Sequence, residues 1–244
     1  MRLTKALRLP DQKGVTAIVG GGGKTSLMLR MAEEYARRGQ PVIVTTTTRI
    51  GDPKNGEARL ILADAPEIRG PLVSLGEVVC IGRRGAPGKL HCPGPLLWER
   101  CLREAERVFT ESDGAKMMPI KAPAAHEPCI PPEADTVVAV AGLSALGQPI
   151  GKIGFRLELL CELLGVSPET LLTPALLARL LTSPRGQFKG VGGAARFRIF
   201  LNQADDPRLT ALGVETAELA RRALPGCRVV AGCLRPKVMI KAVL

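Results

Sequence analysis

Lys24, Thr25 and Ser26 follow four successive glycines, Gly20, Gly21, Gly22 and Gly23, which in turn follow the apolar run Val15–Val19. Residues without Cβ let backbone N–H groups turn inward around an anion, and a helix starting behind them adds the positive end of its dipole. The spacing predicts a phosphate site, with the four glycine amides and Lys24 on the phosphates, the Thr25 hydroxyl on Mg²⁺ and Ser26 in the first turn behind it. A second run, Arg107–Thr110, ends in Glu111-Ser-Asp113-Gly-Ala-Lys116. Two carboxylates and a glycine at a strand terminus supply an acid to hold Mg²⁺ and a backbone N–H near the γ-phosphate. Lys24, Glu111 and Asp113 are thus the candidate catalytic residues, and Thr25, Glu111 and Asp113 the candidate metal set.

A third run, Phe197–Leu201, leads into Asn202-Gln203-Ala204-Asp205. An N-K-x-D element after a strand reads guanine through its Asp carboxylate and Asn amide. Here Gln203 takes the lysine place, so GTP is favoured over ATP without excluding it. Asn202, Gln203 and Asp205 complete the nucleotide set. Thr46, Thr47 and Arg49 follow the apolar run Pro41–Thr45, where open parallel sheets bind ligands. Lys116, Lys121, His126 and Glu127 fall in or beside the proline-dense stretch Met117–Pro132, which excludes a regular helix or central strand. With Arg156 they form a candidate substrate or switch set.

Elements must bring these groups together. In the pattern G-x-x-x-x-G-K-[ST], Gly23, Lys24 and Thr25 fill the last three places, but Ile18 falls on the first glycine. Val19–Thr25 fits the K-G-G-x-G-K-[ST] loop of SIMIBI-type NTPases more closely, with Val19 in the place of the signature lysine. That lysine reaches across a dimer interface, so its replacement argues against a nucleotide-sandwich dimer and leaves an ordinary homodimer open. Apolar spacing predicts helices over 26–38, 96–105, 156–164, 174–181 and 207–223, and a buried strand over 135–141. Residues 1–13 read as a short lead-in strand, 187–194 as a connector, and the chain is expected to close with a strand at 228–231. Residues 51–93 read as an irregular β insertion with short strands near 59–62, 77–81 and 89–90. The expected architecture is one α/β domain over 1–244, a three-layer P-loop NTPase fold with a mainly parallel sheet.

At 244 residues, 45% hydrophobic and 23% charged, the chain can bury a substantial core. No apolar stretch approaches the length of a membrane span, and the N-terminus lacks a signal-peptide core, which predicts a cytoplasmic protein. The net charge of +11 is scattered in ones and twos and only 3% of residues are aromatic, which leaves no stacking platform for single strands. Nucleic acid is set aside; anionic small ligands, an acidic protein partner or solubility account for the charge. Seven cysteines without a C-x-x-C pair read as reduced thiols.

The order of these motifs resembles the selenium cofactor biosynthesis protein YqeC family. The residues that carry the resemblance are Val19–Thr25, Val44–Thr48, Glu111–Lys116, Ile120-Lys-Ala-Pro-Ala-Ala-His-Glu-Pro128 and Asn202–Asp205. The Lys-Ala-Pro-x-x-His-Glu-Pro stretch is the most specific, since nothing general about phosphate loops requires it. Ser112 stands where the family has alanine, and Phe155-Arg156 where it tends to have His-Arg. The resemblance implies a P-loop NTPase fold and an accessory role toward a selenium-dependent molybdenum hydroxylase or its cofactor-assembly proteins. A small-molecule kinase acting on a cofactor precursor, and a non-hydrolysing nucleotide-gated chaperone or carrier, are the alternative activities.

Overall fold

The computed structural model of the chain describes residues 1–53, 58–62, 68, 70–235 and 237–244. Its elements in order are α1 (Leu3–Ala6), β1 (Gly14–Gly20), α2 (Lys24–Ala36), β2 (Val42–Thr46), β3 (Arg49–Gly51), β4 (Arg59–Leu62), β5 (Val78–Arg84), β6 (Lys89–His91), α3 (Pro95–Glu104), β7 (Arg107–Glu111), β8 (Ile120–Lys121) and β9 (Ala134–Gly142). A 3₁₀ turn (Leu143–Ala145) then leads to α4 (Ile150–Ile153), β10 (Gly154–Phe155), α5 (Leu157–Leu164), α6 (Pro174–Thr182), β11 (Arg196–Asn202), α7 (Pro207–Ala223), β12 (Arg228–Cys233) and β13 (Met239–Val243).

The main sheet runs β13-β12-β11-β9-β1-β7-β2-β5, with β4 beside β5. From β12 to β4 every neighbouring pair is parallel, and β13 closes one edge antiparallel. Period-2 alternation makes the layers. Ala17, Val19, Val137, Ala139, Ile199, Leu201 and Val229 face α5, α6 and α7, while Ile18, Val138, Val140, Phe200 and Val230 face Leu27, Met28, Met31 and Tyr35 of α2. Val15, Ile43, Val79 and Val108 pack with Cys101 of α3. Thr173 and Asp206 cap α6 and α7 by accepting from Leu176 N and Leu209 N, each with a proline in the first turn. The result is the three-layer, mainly parallel α/β architecture that the sequence predicts.

Three segments differ from the expectation. Residues 3–6 form a helix rather than a strand, because the Glu34 carboxylate on α2 accepts from Leu3 N and Thr4 N at 2.8 and 2.9 Å. The strands within 51–93 form, but β5 and β4 continue the central sheet, while β6 and β3 make an antiparallel ribbon at the end of β5. Positions 54–57, 63–67 and 69 of that stretch lie outside the described residues. The chain does not close at β12: β13 adds a half-exposed edge strand whose residues lack an apolar alternation.

At the amino-terminal edge, Arg107 is fully buried and ion-paired with Asp135, and its guanidinium also donates to Thr16 Oγ1 at 2.7 Å. Asp135 accepts from Val15 N as well, so one carboxylate ties β1, β7 and β9 together. Asp135→Ala is expected to cost about 3 kcal/mol, because it strands a buried guanidinium and a backbone donor. Urea unfolding of the variant checks this.

Candidate functional site

Because β1, β2, β7, β9 and β11 are parallel, their carboxyl ends emerge on one edge of the sheet, where open α/β sheets place ligands. Ile18 and Thr46 are both register partners of Glu111, and Asn202 is the partner of Gly142. Gly20–Gly23, Thr46–Thr48, Glu111–Asp113 and Asn202–Gln203 therefore meet at that edge.

Lys24 is 5% exposed and stands at the head of α2 with its Nζ 2.7 Å from Gly20 O, 3.2 Å from Asp113 Oδ1 and 3.5 Å from Glu111 Oε1. Thr25 Oγ1 donates to Glu111 Oε2 at 2.7 Å. Asp113, fully buried, also meets Lys121 Nζ at 3.1 Å, and Lys121 bonds Glu127, which is gripped in turn by Arg156. Six charges thus alternate in sign, from Glu111 through Lys24, Asp113, Lys121 and Glu127 to Arg156. Burial, only partly offset by Lys24 and Thr25, raises the pKa of the Glu111 carboxyl. Burial works against the charge on Lys24, yet the Asp113 and Glu111 carboxylates raise its pKa. Burial would likewise raise Glu127, but Arg156 and Lys121 hold it down at about 2.

The glycine loop is arranged differently from four amides around an anion. Gly20 N donates to the Asp113 carboxylate at 3.0 Å, Gly21 N to Val140 O at 2.9 Å and Gly22 N to Met118 O at 3.0 Å. The amides free of protein acceptors among the described residues are those from Gly23 to Ser26, at the start of α2. Gly22 has φ +72°, and a Cβ there would lie 2.3 Å from Gly142 N, so the tight approach of the loop to β9 requires glycine.

Asn202 is buried and its Nδ2 donates to Gly22 O at 2.7 Å, so its side chain braces the glycine loop. Gln203 adopts φ +68° and accepts from Ser144 Oγ at 2.6 Å. Asp205 is exposed beyond them. The substrate or switch set divides by burial. Lys116, His126 and Arg49 are exposed and Thr47 is half-buried, whereas Thr46, Lys121 and Glu127 are buried. Thr46 Oγ1 donates to Glu111 O at 2.8 Å and Thr47 Oγ1 to Cys129 O at 2.7 Å. Lys116 and Arg156 lie over the Phe155 ring, at 5.3 and 4.7 Å from its centroid.

Two supports escape the sequence reading. Gln187, in the glycine-rich connector, donates to Lys121 O at 2.7 Å, and Lys189 Nζ donates to Ala124 O and Ala125 O. The connector thus clamps the proline-dense loop from behind. Its only signal in the sequence is a lone polar pair among glycines.

Glu111 and Asp113 are two buried carboxylates next to a hydroxyl, and no group of three or more His, Cys, Asp or Glu able to hold a metal occurs among the described residues. Such a sparse set fits a cation that completes its shell with water and substrate phosphate, as Mg²⁺ does, rather than a metal held in an all-protein cage. All seven cysteines are free thiols, and burial pushes Cys80 and Cys101 up to about 12. Among the described residues no helix is long and apolar enough to cross a membrane.

The family model described as YqeC protein matches residues 16–158. The chain is similar to "Uncharacterized protein YqeC" of Escherichia coli (strain K12), 31% identical over 195 residues that cover 78% of this chain and 75% of that protein. No solved structure matches.

Proposed function

The chain belongs to the YqeC family, and from that premise we propose that it binds a nucleoside triphosphate with Mg²⁺ and hydrolyses it slowly. In this reading it serves as an accessory factor in maturing a selenium- or molybdenum-containing hydroxylase cofactor. The observation that carries the nucleotide reading is the meeting of Lys24 and Thr25, at the head of a helix with free amides, with Glu111 and Asp113 at the end of β7. The Gly23–Ser26 amides and Lys24 would take the phosphates. Thr25, Glu111 and Asp113 would hold Mg²⁺, which supplies charge neutralisation when bound. Asn202 keeps the loop in place, and Asp205, open to solvent, would read the base.

Phosphoryl transfer leaves a protein little covalent chemistry, so these groups act by positioning and by stabilising charge. The exposed Lys116 ammonium beside Phe155 favours an anionic acceptor or client group beside the phosphates, which keeps a kinase activity as the second reading. Product analysis separates the two: free phosphate supports hydrolysis, and a phosphorylated acceptor supports the kinase.

Calorimetric titration with GTP, ATP and their non-hydrolysable analogues in Mg²⁺ tests the binding. If Asp205 accepts from guanine, Asp205→Ala weakens GTP by about tenfold to a hundredfold, the worth of a charge-assisted hydrogen bond pair, and leaves ATP unchanged. Equal affinity for wild type and variant assigns Asp205 to a turn and removes the preference for GTP. No binding of either nucleotide overturns the reading.

A further inference from the structure

A second concentration of charge lies at the opposite edge of the sheet. Arg198 and Arg228 are register partners at the starts of β11 and β12, about 13 Å along β11 from Asn202. Arg196 opens β11, Arg8 follows α1 with φ +52°, and Arg221 stands in the last turn of α7. Arg198 donates from Nε to Leu7 O at 3.0 Å and from Nη1 to Phe197 O at 2.8 Å, and Arg228 Nε donates to Ala6 O at 3.1 Å. These bonds fix the stems against the end of α1. They leave Nη2 of Arg198 and both Nη atoms of Arg228 without a protein acceptor among the described residues.

None of the five arginines forms an ion pair among the described residues. The contrast is with the groove of about 790 Å³ along the outer face of α2, where Arg30 is paired with Glu33 and Arg59 with Glu77. Glu218, one turn before Arg221 on α7 and lining the same surface depression, makes no ion pair either among the described residues. Burial lowers the pKa of the Arg198 guanidinium, opposed by Cys227 and reinforced by the like charges of Arg196, Arg8 and Arg228. Burial and the like charges of Arg8 and Arg221 do the same at Arg228. Like charges gathered without counter-ions weaken the folded state, and an anion bound among them relieves that cost.

We propose that this cluster is a docking site for an acidic segment of a partner protein. Five guanidiniums contributed by four chain segments offer more donors than one phosphate group can engage. Their planar forks match carboxylates two bonds at a time. Phe197, between Arg196 and Arg198 in sequence, is buried and offers no face on which a base could stack. The cluster centres on one register pair of neighbouring strands, Arg198 and Arg228, and not on a row of basic residues along one element such as duplex phosphates would follow. The position leaves the carboxyl edge open, so a partner held here does not obstruct the candidate site. Nothing in this proposal depends on nucleotide binding.

The test uses the full chain and a fluorescein-labelled oligo-glutamate peptide, read by fluorescence polarisation across a salt series. The Arg8→Glu/Arg196→Glu/Arg221→Glu variant is compared with Lys89→Glu/Arg103→Glu/Lys152→Glu, which removes the same charge from exposed positions elsewhere. The expected result is a loss of about tenfold or more for the first and little change for the second. The milder Arg8→Gln/Arg196→Gln variant, at two exposed positions, is expected to lose affinity in the same direction without unfolding. Equal losses in the two charge-matched variants would mean that net charge alone attracts the peptide and would overturn the site. Tighter binding of a short DNA duplex through the same arginines, or displacement of the peptide by equimolar inorganic phosphate, would overturn the choice of partner.

Discussion

Lys24→Ala is expected to raise the dissociation constant for Mg²⁺-nucleotide by about a hundredfold or more, since a buried ammonium on phosphate contributes more than one charge-assisted bond. The geometry adds a second expectation. Lys24 is held by Gly20 O, Asp113 and Glu111, so it reaches a phosphate only by leaving contacts of 3.2 and 3.5 Å to the two carboxylates. That exchange removes the ammonium from Glu111 and from Asp113, which keeps Gly20 N and Lys121, and so leaves carboxylate charge for a cation; binding of nucleotide and Mg²⁺ should therefore be mutually reinforcing. Removing the ammonium leaves Glu111 buried with Thr25 alone, which raises its carboxyl pKa further and makes the unliganded variant less stable at neutral pH than in mild acid. Calorimetry and thermal melts at two pH values read both effects. Lys24→Met, which keeps the volume and loses the charge, should behave as Lys24→Ala does for ligand. An unchanged affinity in either variant would remove the phosphate role from Lys24.

The strand-and-loop plan of the candidate site was legible because its signals are local. Val15–Val19 before four glycines, Arg107–Thr110 before Glu111, and Phe197–Leu201 before Asn202 each state a strand and its carboxyl end in consecutive residues. Parallel pairing then brings those ends together without further information. What was not legible depends on contacts distant in sequence. Glu34 caps α1 from another helix, β13 is placed by pairing with β12, and Gln187 supports Lys121 across 66 positions. The largest surprise is the burial of Lys121 and Glu127. The proline-dense stretch reads as an irregular segment whose charged residues serve a substrate or a switch, whereas here Lys121 and Glu127 turn inward to meet Asp113 and Arg156. The Asn202 amide shows the same limit: the motif placed it at the site, but only the fold shows that it braces Gly22.

Glu127→Ala is expected to destabilise the protein by about 3–5 kcal/mol, the cost of breaking a buried pair from one side and a large share of a domain's total stability. Lys121, fully buried, would keep only Asp113, and Arg156 would lose the carboxylate that both its Nη atoms grip. Glu127→Gln retains an accepting oxygen and the volume, so its cost is smaller and it exposes the electrostatic part through pH. The folded-state pKa of Glu127 is held at about 2, below its ordinary 4.5. Its contribution is therefore fully present above about pH 4.5 and is lost as pH falls from there towards 2. Glu111, raised rather than lowered, works in the opposite sense and is relieved by acid, but it is common to wild type and variant. The difference in urea midpoint between wild type and Glu127→Gln should accordingly shrink between neutral pH and pH 3 or below. A difference that stays constant over that range would mean that Glu127 acts by shape and not by charge. If the charge account holds, Asp113 links this pair to Lys24 through Lys121. Glu127→Gln should then also change nucleotide affinity, although Glu127 touches neither the glycine loop nor Thr25.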